Sequence, residues 1–211
     1  MEILVVLFIL IFSAILHEVA HGYLADRLGD PTARLMGRLT LDPRPHIDTW
    51  MSFIVPIMTF VVSGGRFIFG GAKPVPVDPF NLKEGRKDIA LVALVGPLVN
   101  IAIAVVAASL IKLLLLPGVA SSLSLSFTAL LYGFLQQVVA INMLLGIFNL
   151  IPIPPLDGSK VFSLILPEET AARYMSLGNT GMMIFLILMY TTPVGNFVFG
   201  LIDFGTNILL P

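Results

Sequence analysis

Two histidines and a glutamate stand within five residues near the start of the chain, in the order His17-Glu18-Val19-Ala20-His21. On a helix, residues four apart lie on one face, so both imidazoles can reach one metal ion. Glu18 follows the first histidine and can hold a water molecule beside that metal. Zinc takes nitrogen and oxygen ligands in a tetrahedron, and a catalytic zinc keeps one position for water. The motif therefore predicts a hydrolytic zinc site that needs a third ligand from another segment.

Asp157 is the acidic residue best placed to be that third ligand. It follows the apolar segment 127–151, and the intervening tail NLIPIPPLDG (149–158) contains three prolines that end the helix and extend the chain. A carboxylate on such a rigid turn can be aimed back at a metal. The alternative is that Asp157 only caps a short helix over 159–166. Three other acids compete less well because they lie on a basic loop or lack a partner motif, namely Asp26, Asp30 and Asp203.

The composition places these residues in a membrane protein. The chain is 57% hydrophobic and only 12% charged, whereas a soluble domain carries about 25% charged residues. An ionisable group inside an apolar span is costly, so it indicates a functional site. The alternative is that the histidines and Glu18 hydrogen-bond to neighbouring helices or lie at the membrane interface. The lack of cysteine excludes disulfides, thiolate metal ligands and cysteine nucleophiles.

The hydropathy pattern predicts an all-α polytopic membrane protein with about five to six membrane-embedded helical segments. The apolar segments are 2–25, 47–63, 89–116, 127–151, 179–192 and 194–210. The first lacks a basic n-region and a small-residue cleavage site, so we expect a retained helix. We expect a single domain over 1–211, with a catalytic core over about 2–166 and C-terminal helices over about 179–210.

The basic residues predict the orientation in the membrane. Nine of the twelve lysines and arginines lie in the loops 26–46 and 64–88. Basic residues are enriched in cytoplasmic loops, so both loops are expected on the cytoplasmic side. The segment 47–69 would then be a re-entrant hairpin, which Pro56 and the glycines after it would permit.

Two short segments have an extended character, 38–41 and 73–77. They are expected to form a small β-hairpin sheet on the cytoplasmic side. Pro74 and Pro76 cannot donate to a ladder, so 73–77 would be its edge strand. Such an edge can hold an unwound substrate as an added strand.

The two motifs together resemble those of a known family. H-E-x-x-H in an apolar helix, with N-x-x-P-x-P-x-L-D-G after a later one, is similar to the site-2 protease family of intramembrane zinc metalloproteases. Gly96-Pro97-Leu98-Val99-Asn100 resembles a further family signature, and the segments 37–43 and 71–77 resemble the short bacterial subgroup without PDZ or other accessory domains. The resemblance covers most of residues 12–166.

The resemblance implies that His17, His21 and Asp157 bind one zinc ion per chain and that Glu18 is the general base. It also implies that Asn149 polarises the scissile carbonyl; alternatively, Asn149 only caps the helix over 127–151. Two further polar residues are expected to have structural roles. We expect Asn100 to make a helix-packing hydrogen bond and His46 to be an interfacial residue and not a ligand.

The resulting functional prediction is an endopeptidase in the lipid bilayer that cleaves transmembrane protein substrates near the cytoplasmic side. We expect a multi-pass protein of a prokaryotic plasma membrane, with no nucleic-acid partner and with the oligomeric state open. No loop exceeds about 25 residues, so there is no room for an inserted PDZ domain. The alternatives are an inactive metal-binding relative that acts as a membrane scaffold and a membrane ion transporter. Many transporters show an internal repeat, which this sequence lacks.

Overall fold

The computed structural model describes residues 2–62 and 72–211, and its secondary structure is helical throughout. Its α-helices are α1 (Glu2–Leu28), α2 (Thr32–Leu35), α3 (Val55–Val62), α4 (Arg86–Leu114), α5 (Pro117–Ala120), α6 (Leu125–Asn149), α7 (Asp157–Ser163), α8 (Glu168–Met175), α9 (Gly178–Thr191) and α10 (Val194–Leu209). Short 3-10 helices occupy Arg44–His46 and Pro79–Asn81, and a π-helix covers Thr49–Ile54.

Among the described residues, three helices are long and apolar enough to cross a membrane, over Ile3–Leu28, Arg86–Leu114 and Leu125–Asn149. At 1.5 Å per residue, 26 residues reach about 39 Å, more than the roughly 30 Å of hydrocarbon. The pair α8 and α9 would add a fourth span if it is counted as one, although it bends by 69°.

The described residues therefore support three to four spans, and five to six spans are not supported. Two of the predicted segments form helices that are too short to span by themselves. The first, Ser52–Val61, has ten residues, and α10 has 16, which gives about 24 Å. Apolar composition alone overcounted because it does not report where a helix breaks.

The core of the bundle forms where α4 packs against α6. Three buried alanines of α4, Ala104, Ala107 and Ala108, meet Val139 and Met143 of α6 in one apolar cluster. Small side chains let two helix backbones approach closely, which is how helices associate in lipid. α1 packs on the same α4, so the three long helices form one unit.

The two basic loops meet at the end of the bundle where α1 ends. Arg38 Nη2 donates to the Lys73 carbonyl (2.8 Å), and Lys73 N–H donates to the His46 carbonyl (2.7 Å). We call residues 29–46 and 72–82 the loop frame. Their contact agrees with the same-side expectation, whereas the cytoplasmic location stays a prediction. The glycines proposed to turn the hairpin, Gly64, Gly65, Gly70 and Gly71, lie outside the described residues.

The predicted β-hairpin is wrong for the two segments that were expected to form it. Within the part of the chain that the structure describes there is no strand: 39–41 is a bend, and 73–77 has no regular secondary structure. The backbone groups that a ladder would use have other partners, because the Lys73 N–H donates to the His46 carbonyl and the Val75 N–H donates to Glu18 Oε2. The Arg38 guanidinium replaces the ladder, since Nη2 also reaches the Pro74 carbonyl at 3.3 Å.

Candidate active site

His17 and His21 lie one turn apart on α1 and turn their rings toward the same point. Their Nε2 atoms are 2.9 Å apart, and both side chains are buried, at 6% and 7% exposure. The rings stand edge to face, with centroids 4.5 Å apart. The four-residue spacing thus does what the sequence predicted, because it brings both imidazoles to one site.

The outer nitrogen of each ring is held by α4. His17 Nδ1 lies 2.6 Å from Asn100 Oδ1, and His21 Nδ1 lies 2.6 Å from the Val92 carbonyl oxygen. A carbonyl can only accept, so His21 must carry its proton on Nδ1. An imidazole that donates from Nδ1 presents a bare Nε2, which is the form that binds a metal.

Asp157 brings the third donor from a different part of the chain. Its Oδ2 lies 3.0 Å from His17 Nε2 and 3.2 Å from His21 Nε2, while Oδ1 accepts from Lys160 Nζ at 3.0 Å. α7 begins at Asp157, and its N-cap is Leu156, which makes no side-chain cap hydrogen bond. The Asp157 carboxylate therefore points into the site, and the capping alternative does not describe it.

These three donors fit a zinc ion. Their ligand atoms lie within 4.8 Å of one another, the one such cluster of three or more possible ligands found among the described residues. Zinc–ligand bonds of about 2.0–2.2 Å place tetrahedral donors about 3.3 Å apart, close to the separations seen here. Two bare Nε2 lone pairs facing each other repel unless a cation lies between them. The donor set therefore indicates a cation site.

Gly96 of α4 allows the two histidines to pack against that helix. A Cβ at Gly96 would lie 2.5 Å from His21 Nε2 and 2.7 Å from His17 Cε1. Nothing larger than a hydrogen fits there. The glycine of the Gly96-Pro97-Leu98-Val99-Asn100 signature is therefore part of the site, a role that the sequence interpretation missed.

Glu18 faces the same site but is held by the loop frame. Its Oε2 accepts from Val75 N–H at 2.7 Å. Gly22 permits this approach, because a Cβ at Gly22 would lie 2.7 Å from Val75 Cγ1 and 2.8 Å from Leu39 Cδ2. Glu18 is half-buried and stands beside the donor set. A carboxylate in this position can accept a proton from a water bound at the metal site.

A cavity of about 510 Å³ opens onto this group. Its walls are mostly apolar, and the chemistry-bearing residues are grouped on one part of them. The polar or charged lining residues are His17, Glu18, His21, Asn149, Asp157 and Lys160. Such a volume, with a few convergent polar groups, is typical of a substrate site.

Asn149 lines this cavity at the last residue of α6. Its Nδ2 donates to the Leu145 carbonyl of the same helix at 3.0 Å. One N–H of the amide remains for another partner, so the contact is compatible with both roles considered for Asn149.

His46 and Asn100 have contacts that the sequence did not predict. His46 is buried, at 1% exposure, and its Nε2 lies 2.9 Å from the Thr40 carbonyl oxygen within the loop frame. Its place at the membrane interface stays a prediction. Asn100 does join helices, but it also contacts His17 directly. Asn142 and Ser13, which extend that contact, were missed, although isolated polar residues in apolar helices are a signal for such a role.

Asp30 fixes the loop frame. Its carboxylate accepts from Asp78 N–H (2.7 Å), Asn81 Nδ2 (3.0 Å) and Thr32 N–H (3.1 Å). Burial alone would raise the pKa of Asp30, but these hydrogen bonds outweigh it and lower the pKa. The segment that contacts Glu18 is thus held by an ionised carboxylate.

Several known proteins are similar to this chain over most of its length. The model of peptidase family M50 matches residues 5–189. The chain is 34% identical over 189 residues to "Putative zinc metalloprotease YwhC" of Bacillus subtilis, covering 90% of this chain and 81% of that protein. It is 31% identical over 184 residues to "Putative zinc metalloprotease Rip2" of Mycobacterium tuberculosis, covering 87% of this chain and 65% of that protein.

A similar relative is found among archaea. The chain is 34% identical over 155 residues to "Putative zinc metalloprotease MJ0611" of Methanocaldococcus jannaschii, covering 72% of this chain and 71% of that protein. No solved structure matches the chain. A family model that spans most of the chain, together with its long apolar helices, identifies it as a membrane zinc metalloprotease of peptidase family M50, the site-2 protease family.

Proposed function

We propose that this chain cleaves peptide bonds of transmembrane protein substrates near the cytoplasmic side of the bilayer. The observation that carries the proposal is the convergence of His17, His21 and Asp157 beside Glu18, in a largely apolar cavity between long apolar helices. A peptide-hydrolysing site that lies among membrane-spanning helices reaches polypeptide substrates that are themselves in or near the membrane.

In the proposed mechanism His17, His21 and Asp157 hold one zinc ion. When bound, zinc lowers the pKa of its water toward neutrality and polarises the peptide carbonyl. Glu18 accepts the proton of the attacking water and passes it to the leaving amine. Lys160 binds the second oxygen of Asp157 and so leaves Oδ2 alone for the metal.

The depth of the site favours cleavage toward the end that carries the basic loops. His21 is seven residues from Leu28, where α1 ends, which corresponds to about 10 Å along the helix. Water therefore has a short path from the loop frame. By the positive-inside bias this end is cytoplasmic, and we propose a multi-pass protein in the plasma membrane of a prokaryote.

The loop frame offers a way to hold an unwound substrate. The segment 73–77 has no regular secondary structure and lines the cavity through Pro74, Val75 and Val77. The Val77 N–H and the Val75 carbonyl have no hydrogen-bond partner in the described part of the chain. A substrate segment can bind these groups as an added strand, which exposes its amide bonds to the site.

Asn149 is proposed to donate to the scissile carbonyl of the substrate. Its free N–H is available because only one contact to Leu145 is made. A donor aimed at a developing oxyanion typically contributes about 10²–10³ in rate. If Asn149 only stabilises the end of α6, Asn149→Ala lowers the melting temperature and not the turnover of the folded enzyme.

The deciding experiment is purification in detergent, metal analysis and mass spectrometry of a model transmembrane substrate. The proposal predicts one zinc per chain and new peptide termini within or beside the substrate's span. Bound zinc with no cleavage of a panel of transmembrane substrates would favour a scaffold. Ion flux in proteoliposomes without cleavage would favour a transporter.

The cytoplasmic location is tested by labelling single cysteines in this cysteine-free chain. Met36 and Phe80 are suitable positions, because they are 62% and 97% exposed and lie on the two parts of the loop frame. A membrane-impermeant reagent should label both from inverted vesicles and neither from intact cells. Labelling of both from intact cells would place the site toward the outer side.

A further inference from the structure

Three buried polar side chains cross the bundle beside His17, one from each long helix. Ser13 of α1 is 4% exposed, and Asn100 of α4 and Asn142 of α6 are fully buried. Burying an amide in an apolar interior is costly unless its groups are paired. The three side chains form a hydrogen-bond network, and the donor and acceptor atom at each step of this network can be assigned.

The assignment begins at the Val138 carbonyl on α6. A carbonyl only accepts, so the atom of Asn142 that lies 2.9 Å from it must be the amide nitrogen. The Asn142 oxygen is then the atom that faces Asn100, and it accepts from Asn100 Nδ2 at 3.0 Å. The Asn100 oxygen must consequently face His17 Nδ1, 2.6 Å away.

We propose that Asn142 is a positioning residue that acts through Asn100 to hold His17 in the tautomer with the proton on Nδ1. The inference rests on the proposed zinc site, in which His17 Nε2 is a ligand. With Asn142 in place, Asn100 cannot turn its nitrogen toward His17 without losing its bond to α6. His17 Nε2, which lies 3.0 Å from Asp157 Oδ2, is then the nitrogen left to bind the metal.

The two proposed metal-binding histidines differ in how their tautomers are fixed. His21 is fixed in one step by the Val92 carbonyl, whose orientation belongs to the α4 backbone. His17 depends on the side-chain amides of Asn100 and Asn142. If both amides exchanged their oxygen and nitrogen positions, they could still pair with each other, and only the Val138 carbonyl prevents this exchange. The other restraint on Asn100 is its contact with the Ser13 carbonyl, at 3.4 Å near the limit of a hydrogen bond.

Ser13 provides the matched control. Its hydroxyl takes the second N–H of Asn142 at 2.9 Å, so Ser13→Ala also removes one hydrogen bond from the buried network. It leaves the path from Val138 through Asn142 to Asn100 intact. A role in packing alone would make the two substitutions similar, whereas a role in orientation makes them different.

The test measures zinc dissociation constants by chelator competition in detergent for the wild type, Asn142→Leu and Ser13→Ala. We expect Asn142→Leu to weaken zinc binding about 10–100-fold, the range for lost outer-shell partners, and Ser13→Ala to change it less than about threefold. The absorption spectrum of the cobalt-substituted protein should shift in Asn142→Leu only. If Asn142→Leu does not fold, Asn142→Ser replaces it, since a serine is too short to reach Asn100.

The outcomes separate this inference from the proposed function. Equal zinc affinities and cobalt spectra for the Asn142 variant and Ser13→Ala would overturn the positioning role while leaving the zinc site in place. Failure of the wild type to bind zinc would overturn the proposed site and the inference with it. In the Asn100→Asp background, both oxygens accept, so Asn142→Leu should cause no further loss of zinc affinity.

Discussion

The proposed metal-binding histidines and the proposed general base are neighbours on one turn of α1, yet different regions of the molecule hold them. Asn100 and Val92 of α4 fix the outer nitrogens of His17 and His21 inside the helix bundle. Glu18 instead accepts from Val75 of the loop frame. The two histidines are therefore positioned by helix packing, whereas Glu18 is positioned by the loop frame.

This difference suggests that the two functions can be damaged separately. The helices bury their contacts in an apolar interior, where a lost partner is costly. The loop frame lies at the end of the bundle and holds its segment through Arg38 and Asp30. Substitutions in the bundle should lower zinc affinity, whereas substitutions in the loop frame should lower turnover with zinc still bound.

The largest effect is expected from Asp157→Ala, which removes one of three donors. Both zinc content and peptide cleavage should be lost, because two histidines alone bind the metal weakly. Asp157→Asn should disturb the fold less and still be a poor enzyme. Metal analysis after desalting checks the first point, and full zinc occupancy in Asp157→Ala would exclude Asp157 as a ligand.

Glu18→Gln should separate the two functions most sharply. We expect cleavage to fall about 10²–10⁴-fold because the proton acceptor is lost. Zinc content should stay at the wild-type level, since the ligands are unchanged and a glutamine oxygen can still accept from Val75 N–H. Turnover near that of the wild type would remove Glu18 from its proposed role.

Gly96→Ala tests the helix side of the comparison. The added Cβ meets both imidazoles, so we expect zinc affinity to fall about 10–100-fold, as for other disturbances around ligands. Gly133→Ala in α6 is the matched control, because a Cβ there has no neighbour within 4 Å. Equal zinc affinities for the two variants would show that α4 can move aside.

Arg38→Met tests the loop side. The guanidinium that binds the Lys73 and Pro74 carbonyls is lost while much of the apolar stem remains. We expect kcat/KM to fall about ten- to a hundredfold through displacement of the segment around Val75, with zinc unchanged. Arg34→Met is the control, because that side chain is 63% exposed and pairs with Asp26. A loss of zinc in Arg38→Met would mean that the two regions are coupled.

The motif residues were predictable because their spacing is itself geometric. The turn from His17 to His21 and the proline-rich approach to Asp157 both specify where a donor points. The number of spans and the structure of 73–77 were not predictable from the sequence, because helix breaks and the Arg38 contacts depend on tertiary structure. Asn100 was recognised only as a packing residue because a sequence does not tell which helix faces which.

The smallest effect concerns the pH dependence of the loop frame. Burial raises the pKa of Asp30, but the hydrogen bonds that its carboxylate accepts from Thr32, Asn81 and Asp78 together lower it below the usual value. An aspartate with a depressed pKa stabilises the folded state at pH values above its pKa in the unfolded chain, about 3.9, and this contribution is lost as the pH falls through the lower pKa of the folded state.

Hydrogen exchange over residues 72–81, corrected for intrinsic rates, should therefore stay slow until the pH drops below about 4. Asp30→Asn should exchange faster above about pH 4, because its amide cannot accept all these bonds, and should approach the wild type at lower pH, where Asp30 is itself protonated. Asp42→Asn should leave the segment unchanged, since Asp42 bonds only locally, to Arg44 and Thr40. Equal exchange in Asp30→Asn and the wild type would show that Arg38 and His46 hold the loop frame without Asp30.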